Sequence, residues 1–215
     1  MARVKVKICG ITNWTDARRA AEAGADFLGF NFYPHSPRYI RPASARRIVR
    51  CLPRSPKIST VGVFVNESEE KMLRIARVVG LDYLQLHGDE SPLAVARLSP
   101  SIPVIKAVRV PKSFRSAQLV PFRRASAVLL DAFARRSRGG TGKTFDWEIA
   151  RRAGKKNRIF LAGGLTPENV ARAIRTARPY AVDVCSGVEA RPRKKDGARV
   201  KALMRAVREA TKGTR

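Results

Sequence analysis

The sequence predicts an α/β fold, a single-domain (β/α)8 barrel of the TIM type that takes in residues 1–215. Short runs rich in β-branched and aromatic residues alternate with amphipathic runs rich in Ala and Arg, and this unit occurs eight times. Strict alternation favours a parallel sheet with right-handed crossovers. A chain of 215 residues also suits eight units, since such barrels begin at roughly 200 residues. The alternative, a doubly wound open sheet, needs only about six strands and usually carries a glycine fingerprint that the first turn lacks.

Each predicted strand is followed by one predicted helix. The strands are expected at 4–9, 26–32, 58–65, 81–87, 103–109, 127–131, 158–162 and 181–185. The helices are expected at 15–23, 43–52, 67–79, 92–98, 113–119, 146–153, 167–177 and 197–211, and the fifth has the poorest pattern. Side chains alternate along a strand, so Val6 and Ile8 should pack under the helices while Lys7 and Cys9 point into the barrel.

The composition narrows the class of protein. Lys and Arg number 44 against 17 Asp and Glu, a net charge of +27, which is one signature of nucleic-acid binding. The basic residues are nevertheless spread over amphipathic segments, and only 7% of residues are aromatic, so a nucleic-acid partner is the weaker alternative. The chain contains no apolar run of the ~18 residues that a membrane span requires. Its N-terminus alternates charged and apolar residues without a signal-peptide core, so we expect a cytoplasmic protein without a membrane partner.

Cysteine and histidine are scarce and scattered. The cysteines are Cys9, Cys51 and Cys185, and the histidines are His35 and His87. These spacings match neither a disulfide framework nor a metal-binding motif. We therefore expect no metal site.

The functional candidates are polar residues at the ends of the predicted strands, because barrel active sites lie at the C-terminal ends. They are Cys9, Asn31, Gln85, His87, Arg109, Asp131 and Asp183. Lys7 shares a strand face with Cys9, and a neighbouring cation favours a thiolate. Asp131 ends an apolar run and is either a cap or a general acid.

Glycine-bearing turns after the last three strands indicate a phosphate site, because glycine lets backbone N–H groups approach an anion. The turns are GGTGKT at 139–144, which contains Gly142, then Gly163 with Gly164, then Ser186 with Gly187. GGTGKT lacks the spacing of a Walker A loop. Arg38 follows Pro34 and Pro37, which stiffen another loop, and a fixed guanidinium suits a carboxylate or a phosphate.

In this order the motifs resemble the phosphoribosylanthranilate isomerase family of tryptophan biosynthesis, over nearly the whole chain. The specific ones are KICGIT at 7–12 and GGTGKTFDW at 139–147. Supporting ones are FYP at 32–34, SPRY at 36–39, VGVF at 61–64, QLHG at 85–88, AGGL at 162–165 and SGVE at 186–189.

The resemblance implies a (β/α)8 barrel that converts N-(5-phosphoribosyl)anthranilate to a carboxyphenylamino-deoxyribulose phosphate by an Amadori rearrangement without metal or organic cofactor. It implies Cys9 as general base, Asp131 as general acid and Arg38 facing the anthranilate carboxylate. The glycine turns, with Ser186, would hold the phosphate, and Gln85, His87 and Asp183 would contact the substrate. Another phosphate-binding barrel isomerase or epimerase is the alternative enzyme. The oligomeric state is expected to be monomer or homodimer.

The chain departs from the family pattern at Cys185, where Ser is usual, and at Arg193, where Gly is common. The eighth strand of a closed barrel pairs with the first, so one hypothesis is that Cys185 lies near Cys9. The alternative, which the strand register decides, is that the two miss each other by a residue or more. Two basic loops are also predicted at the barrel mouth, where they would attract an anionic substrate. Their residues are Arg135, Arg136, Arg138, Arg191, Arg193, Lys194 and Lys195.

Overall fold

In the computed structural model, eight parallel strands close into a barrel in the order β1 to β8. The structure describes residues 3–53, 58–111, 113–132 and 146–212. The barrel strands are β1 Lys5–Ile8, β2 Phe27–Asn31, β3 Ser59–Phe64, β4 Tyr83–Leu86, β5 Val104–Val110, β6 Ala127–Ala132, β7 Ile159–Leu161 and β8 Ala181–Val184. The barrel and all eight predicted strands are thereby confirmed, with ends that differ by at most two residues. That residues 1–215 form one domain stays a prediction.

In the part of the chain that the structure describes, seven α-helices surround the barrel. They are α1 Trp14–Glu22, α2 Pro42–Cys51, α3 Glu69–Val79, α4 Pro92–Leu98, α5 Trp147–Ala153, α6 Val170–Ala177 and α7 Gly197–Lys212. The fifth predicted helix is wrong as an α-helix: a 3₁₀ helix, Ser116–Phe122, stands in its place and contains Pro121. Proline lacks the amide donor that an α-helix interior needs, which favours the shorter element. None of the described helices combines the length and apolar character needed to cross a membrane.

Two separate apolar layers confirm the predicted alternation of strand faces. Val6 and Ile8 belong to the larger core between strands and helices. A smaller core fills the barrel itself and includes Phe27, Leu129 and Phe160. Lys7, on the face opposite Val6, is fully buried inside the barrel. The inner layer therefore closes the barrel floor and leaves polar side chains at its mouth.

A short hairpin that the sequence did not predict follows β8. It consists of β9 Glu189–Arg191 and β10 Lys194–Lys195, paired antiparallel, with Lys194 opposite Arg191. The connecting residues are Pro192 and Arg193, and Arg193 has φ +73°. A type II turn takes proline at its second position and requires positive φ at its third, where glycine is preferred. This conformation explains why glycine is common here in the family pattern; nothing in the structure explains the arginine.

We expect Arg193→Gly to stabilise the protein by about 1 kcal/mol, because an L-residue in the left-handed region is strained by about that much. Thermal or denaturant unfolding measures the change. Arg191→Gly, on an extended residue of the same hairpin, is the matched control and should not stabilise. An Arg193→Gly protein no more stable than wild type would show that the turn relieves this strain in another way.

Candidate active site

A cavity of about 630 Å³ opens at the C-terminal ends of the barrel strands. The predicted site residues that line it are Cys9, Arg38, Gln85, His87, Asp131, Gly163, Gly164, Asp183 and Ser186. Asn31, from the wider set of candidates, lines it as well. The parallel strands bring these residues together, because each lies at or just beyond the end of its strand.

Cys9 follows β1 in an environment that favours its thiolate. Its backbone N–H donates to the carbonyl of Val184 at 2.9 Å, which places it beside Cys185. The hydrogen bond from the Cys185 thiol holds the pKa of Cys9 well below its usual value, and the cations of Lys7 and Lys195 act in the same direction. The same hydrogen bond, together with burial, raises the pKa of Cys185. The two thiols thus have opposite tendencies, with Cys9 as the proton acceptor.

Lys7 and Asp183 form an ion pair beneath Cys9, with Lys7 Nζ 2.9 Å from Asp183 Oδ1. Burial raises the pKa of Asp183 to about 6, although the positive charge of Lys7 opposes the rise. Burial acts to lower the pKa of Lys7, but the charges of Asp183 and Cys9 raise it above its usual value. Lys7 therefore stays a cation at physiological pH and stabilises the negative charges of both Asp183 and Cys9.

Asp131, at the end of β6, is joined to β4 by a chain of polar contacts. Asp131 Oδ2 lies 3.3 Å from His87 Nε2. On the other side of the ring, Gln85 Nε2 lies 2.8 Å from His87 Nδ1. With Gln85 Nε2 as the donor to Nδ1, the neutral ring carries its proton on Nε2, facing Asp131. Gln85 and His87 thereby orient the Asp131 carboxyl at the cavity wall.

Arg38 reaches the cavity from the loop after β2 and is held by Glu189 of β9. Its Nε and Nη2 atoms donate to both carboxylate oxygens of Glu189, the shortest contact being 2.6 Å. A two-pronged contact of this kind fixes the plane of the guanidinium. The predicted rigid arginine is present, and Glu189 contributes to its rigidity in addition to the flanking prolines.

The turns after β7 and β8 meet on one side of the cavity. Gly163 and Gly164 have φ +86° and +63°, which favour glycine. Asn169 closes the first turn by donating to the carbonyl of Gly164 at 2.8 Å. Gly187 packs against this turn, whereas Gly142 lies outside the described residues.

We expect Gly187→Ala to raise KM at least tenfold with a smaller change in kcat. An added Cβ would lie 1.9 Å from the carbonyl oxygen of Leu165, so the turns after β7 and β8 must separate. Steady-state kinetics and thermal unfolding measure the two effects. Gly154→Ala is the control. Its added Cβ would lie 3.3 Å from the nearest atom, and Gly154 does not line the cavity. An unchanged KM would mean that these turns do not hold the substrate.

The contact between Cys9 and Cys185 confirms that the two thiols are neighbours, and both are free in the structure. We expect mild oxidation with diamide to form a disulfide between them, the oxidant taking two electrons and two protons. Activity should fall and return with a thiol reductant. Cys185→Ser should be markedly less sensitive. Equal sensitivity of the two proteins would show that Cys185 only fills the place of a serine.

Two expectations need correction. Arg109 does not line the cavity; it points to Asp89, at 3.5 Å, on the outside of the mouth. Lys195 is not part of a surface that attracts anions, since it is 1% exposed and paired with Glu189. Of the other basic loop residues, Arg191, Arg193 and Lys194 are exposed, and Arg135, Arg136 and Arg138 lie outside the described residues.

Sequence reasoning missed Glu189 as a site residue and misjudged Lys195 as an exposed charge. Both lie on the unpredicted hairpin, within a basic stretch that resembles solvent-exposed charge. A glutamate next to an apolar run, followed by a proline turn and a lysine, was the available signal.

The fold and the cavity define a (β/α)8-barrel enzyme with acid–base side chains at the mouth of the barrel. A family model described as N-(5'-phosphoribosyl)anthranilate isomerase matches residues 6–206, and the chain belongs to this family. It is an isomerase.

Similar proteins agree with this assignment. The N-(5'-phosphoribosyl)anthranilate isomerase of Trichlorobacter lovleyi is 50% identical over 96% of this chain and 99% of its own length. The crystal structure of the Thermotoga maritima isomerase is 46% identical, covers 96% of this chain and 99% of its own, and has a TM-score of 0.89. Another isomerase structure, in complex with reduced 1-(o-carboxyphenylamino)-1-deoxyribulose 5-phosphate, is 44% identical over 96% of this chain and 99% of its own, with a TM-score of 0.86.

Proposed function

We propose that the chain isomerises N-(5'-phosphoribosyl)anthranilate with Cys9 as general base and Asp131 as general acid. The observation that supports this most directly is that both side chains line one cavity at the barrel mouth, with the anionic form of Cys9 stabilised. The comparisons give no support to an epimerase or a nucleic-acid-binding protein. We place the enzyme in the cytoplasm, where reducing conditions keep Cys9 reduced and free of disulfide bonds.

Two proton transfers make up the proposed reaction. Asp131 gives a proton to the ribose ring oxygen, the C–O bond breaks, and the nitrogen lone pair forms an iminium ion. The Cys9 thiolate then removes the proton on C2, which gives an enolamine that tautomerises to the ketone. His87 Nε2 lies 3.3 Å from one oxygen of Asp131, and the other oxygen is proposed to carry the proton that is transferred. Each such proton-transfer group contributes typically ~10²–10⁴ to the rate.

Clamps at the two ends of the substrate would hold it between acid and base. Arg38 is proposed to face the anthranilate carboxylate, and Gly163, Gly164, Ser186, Gly187 and Gly142 the phosphate. Gln85, His87 and Asp183 are proposed to contact the substrate as well, with Gln85 held against His87 and Asp183 held by Lys7. Fixing both ends of a substrate converts binding free energy into orientation of its reacting atoms.

The test is turnover of purified protein with N-(5'-phosphoribosyl)anthranilate, beside simple sugar phosphates as rival substrates. We expect activity with the first and none with the others. The Trichlorobacter lovleyi relative serves as a positive control. A protein that is folded yet inactive, under conditions where the relative turns over, would contradict the proposal.

The same assay with a chelator tests the proposed absence of a metal. Among the residues that the structure describes, no three His, Cys, Asp or Glu side chains are grouped as a metal site. We propose acid–base chemistry by side chains alone, so activity should persist in EDTA. If EDTA abolished the activity and added metal restored it, the cofactor-free mechanism would be contradicted.

A further inference from the structure

Three charged side chains form a connected cluster beside the cavity. Lys195 Nζ lies 3.1 Å from Glu189 Oε1 and 3.0 Å from the carbonyl oxygen of Cys185. Glu189 in turn accepts both prongs of Arg38, whose guanidinium lines the cavity. We call these three side chains, Arg38, Glu189 and Lys195, the hairpin cluster.

The hairpin is built to deliver Lys195 to this position. The Lys195 backbone N–H donates to Asp16 of α1 at 2.8 Å, and Asp196 donates to the carbonyl of Val188 at 2.9 Å. These hydrogen bonds hold the strand in place at Lys195 and at the next residue. Lys195 is only 1% exposed. Burying an ammonium group is unfavourable unless a specific partner compensates its charge. The fold therefore holds Lys195 at this position through its contact with Glu189.

The charges of the cluster decide what Arg38 can attract. Arg38 and Glu189 alone make a neutral pair, and a neutral pair has little long-range attraction for an anion. Lys195 adds a second cation, so the cluster carries one net positive charge at the cavity wall. In a partly buried site a charge is screened less than in bulk water, so its attraction for an anion at the cavity wall is stronger there.

We propose that Lys195 is a positioning residue that offsets the charge of Glu189 and keeps Arg38 free to bind a carboxylate of the substrate. Glu189 supplies the geometry of the guanidinium, and Lys195 prevents Glu189 from neutralising it. This inference rests on the proposed function, which places the anthranilate carboxylate at Arg38. It assigns to the buried lysine a role in selecting an anthranilate-bearing substrate.

Binding of two ligands separates this role from a structural one. The first is reduced 1-(o-carboxyphenylamino)-1-deoxyribulose 5-phosphate, and the second is the same compound without the carboxylate. Calorimetry with Lys195→Met should show about tenfold weaker binding of the first and little change for the second, as expected for one lost charge. Lys201→Met removes an exposed charge from α7 and should leave both affinities unchanged.

A compensating variant provides the decisive readout. Lys195→Met together with Glu189→Gln returns the cluster to one net positive charge, and the amide oxygen of the new glutamine still accepts from one of the two Arg38 donors, so the carboxylate ligand should regain part of its affinity. KM for the substrate should follow the same order, and kcat of Lys195→Met should fall as well, because Lys195 also favours the thiolate of Cys9. Thermal unfolding of each variant checks that the hairpin still folds.

Three results would overturn the inference. Lys195→Met could weaken both ligands equally, which would indicate a general structural role. It could weaken neither, or the double variant could bind the carboxylate ligand no better than the single one. Wild-type protein that binds neither ligand would overturn the proposed function, and this inference with it.

Discussion

Cys9→Ala is expected to lower kcat by at least ~10², because a general base typically contributes ~10²–10⁴. The variant removes the acceptor of the C2 proton and leaves Lys7, Asp183 and the binding groups in place. KM should change much less than kcat, since Cys9 contributes to the transition state more than to binding. Steady-state kinetics measure the effect, and circular dichroism with thermal unfolding verifies the fold.

Cys51→Ala is the matched control, because Cys51 is an exposed cysteine at the end of α2. It should retain wild-type turnover. Cys185 lies beside Cys9 and could accept the proton in its place, so the double variant Cys9→Ala with Cys185→Ser is measured as well. Near-wild-type turnover in that double variant would refute Cys9 as the base.

Most of the fold could be predicted because it depends on patterns within single elements. Alternation of Val6 and Ile8 with Lys7 fixes which strand face is inside, and the eight repeats fix the topology. The failures are local. The segment that contains Pro121 overlaps the fifth predicted helix, but the proline lacks the amide donor that an α-helix needs. The hairpin at 189–195 is too short to show a periodic pattern of apolar residues.

The site was predictable to the extent that strand ends define it. Cys9, Gln85, His87, Asp131 and Asp183 follow from parity and position, because a closed barrel brings all strand ends together. Partnerships across the chain did not follow. The Glu189 contact to Arg38 joins residues 151 positions apart, and spacing along the sequence contains no information about such a pair. Lys195 was misjudged for the same reason, since a buried lysine is recognised only with its partner.

Asp131→Asn is expected to lower kcat by ~10² or more, because an amide cannot give the proton that opens the ribose ring. The substitution keeps the size of the side chain, and the amide oxygen can still accept from His87 Nε2, now 3.3 Å from the carboxylate. The loss should therefore appear in turnover and not in the fold. Steady-state kinetics across pH measure it.

Binding of the reduced product analogue separates proton transfer from substrate positioning. Asp131→Asn should bind it with an affinity close to that of wild type, since the analogue requires no proton from the enzyme. Asp89→Asn, an exposed carboxylate outside the cavity beside Arg109, is the control and should not alter turnover. If Asp131→Asn lost analogue affinity as steeply as turnover, Asp131 would be a binding group, and the acid that opens the ring would have to be sought among the other side chains of the cavity.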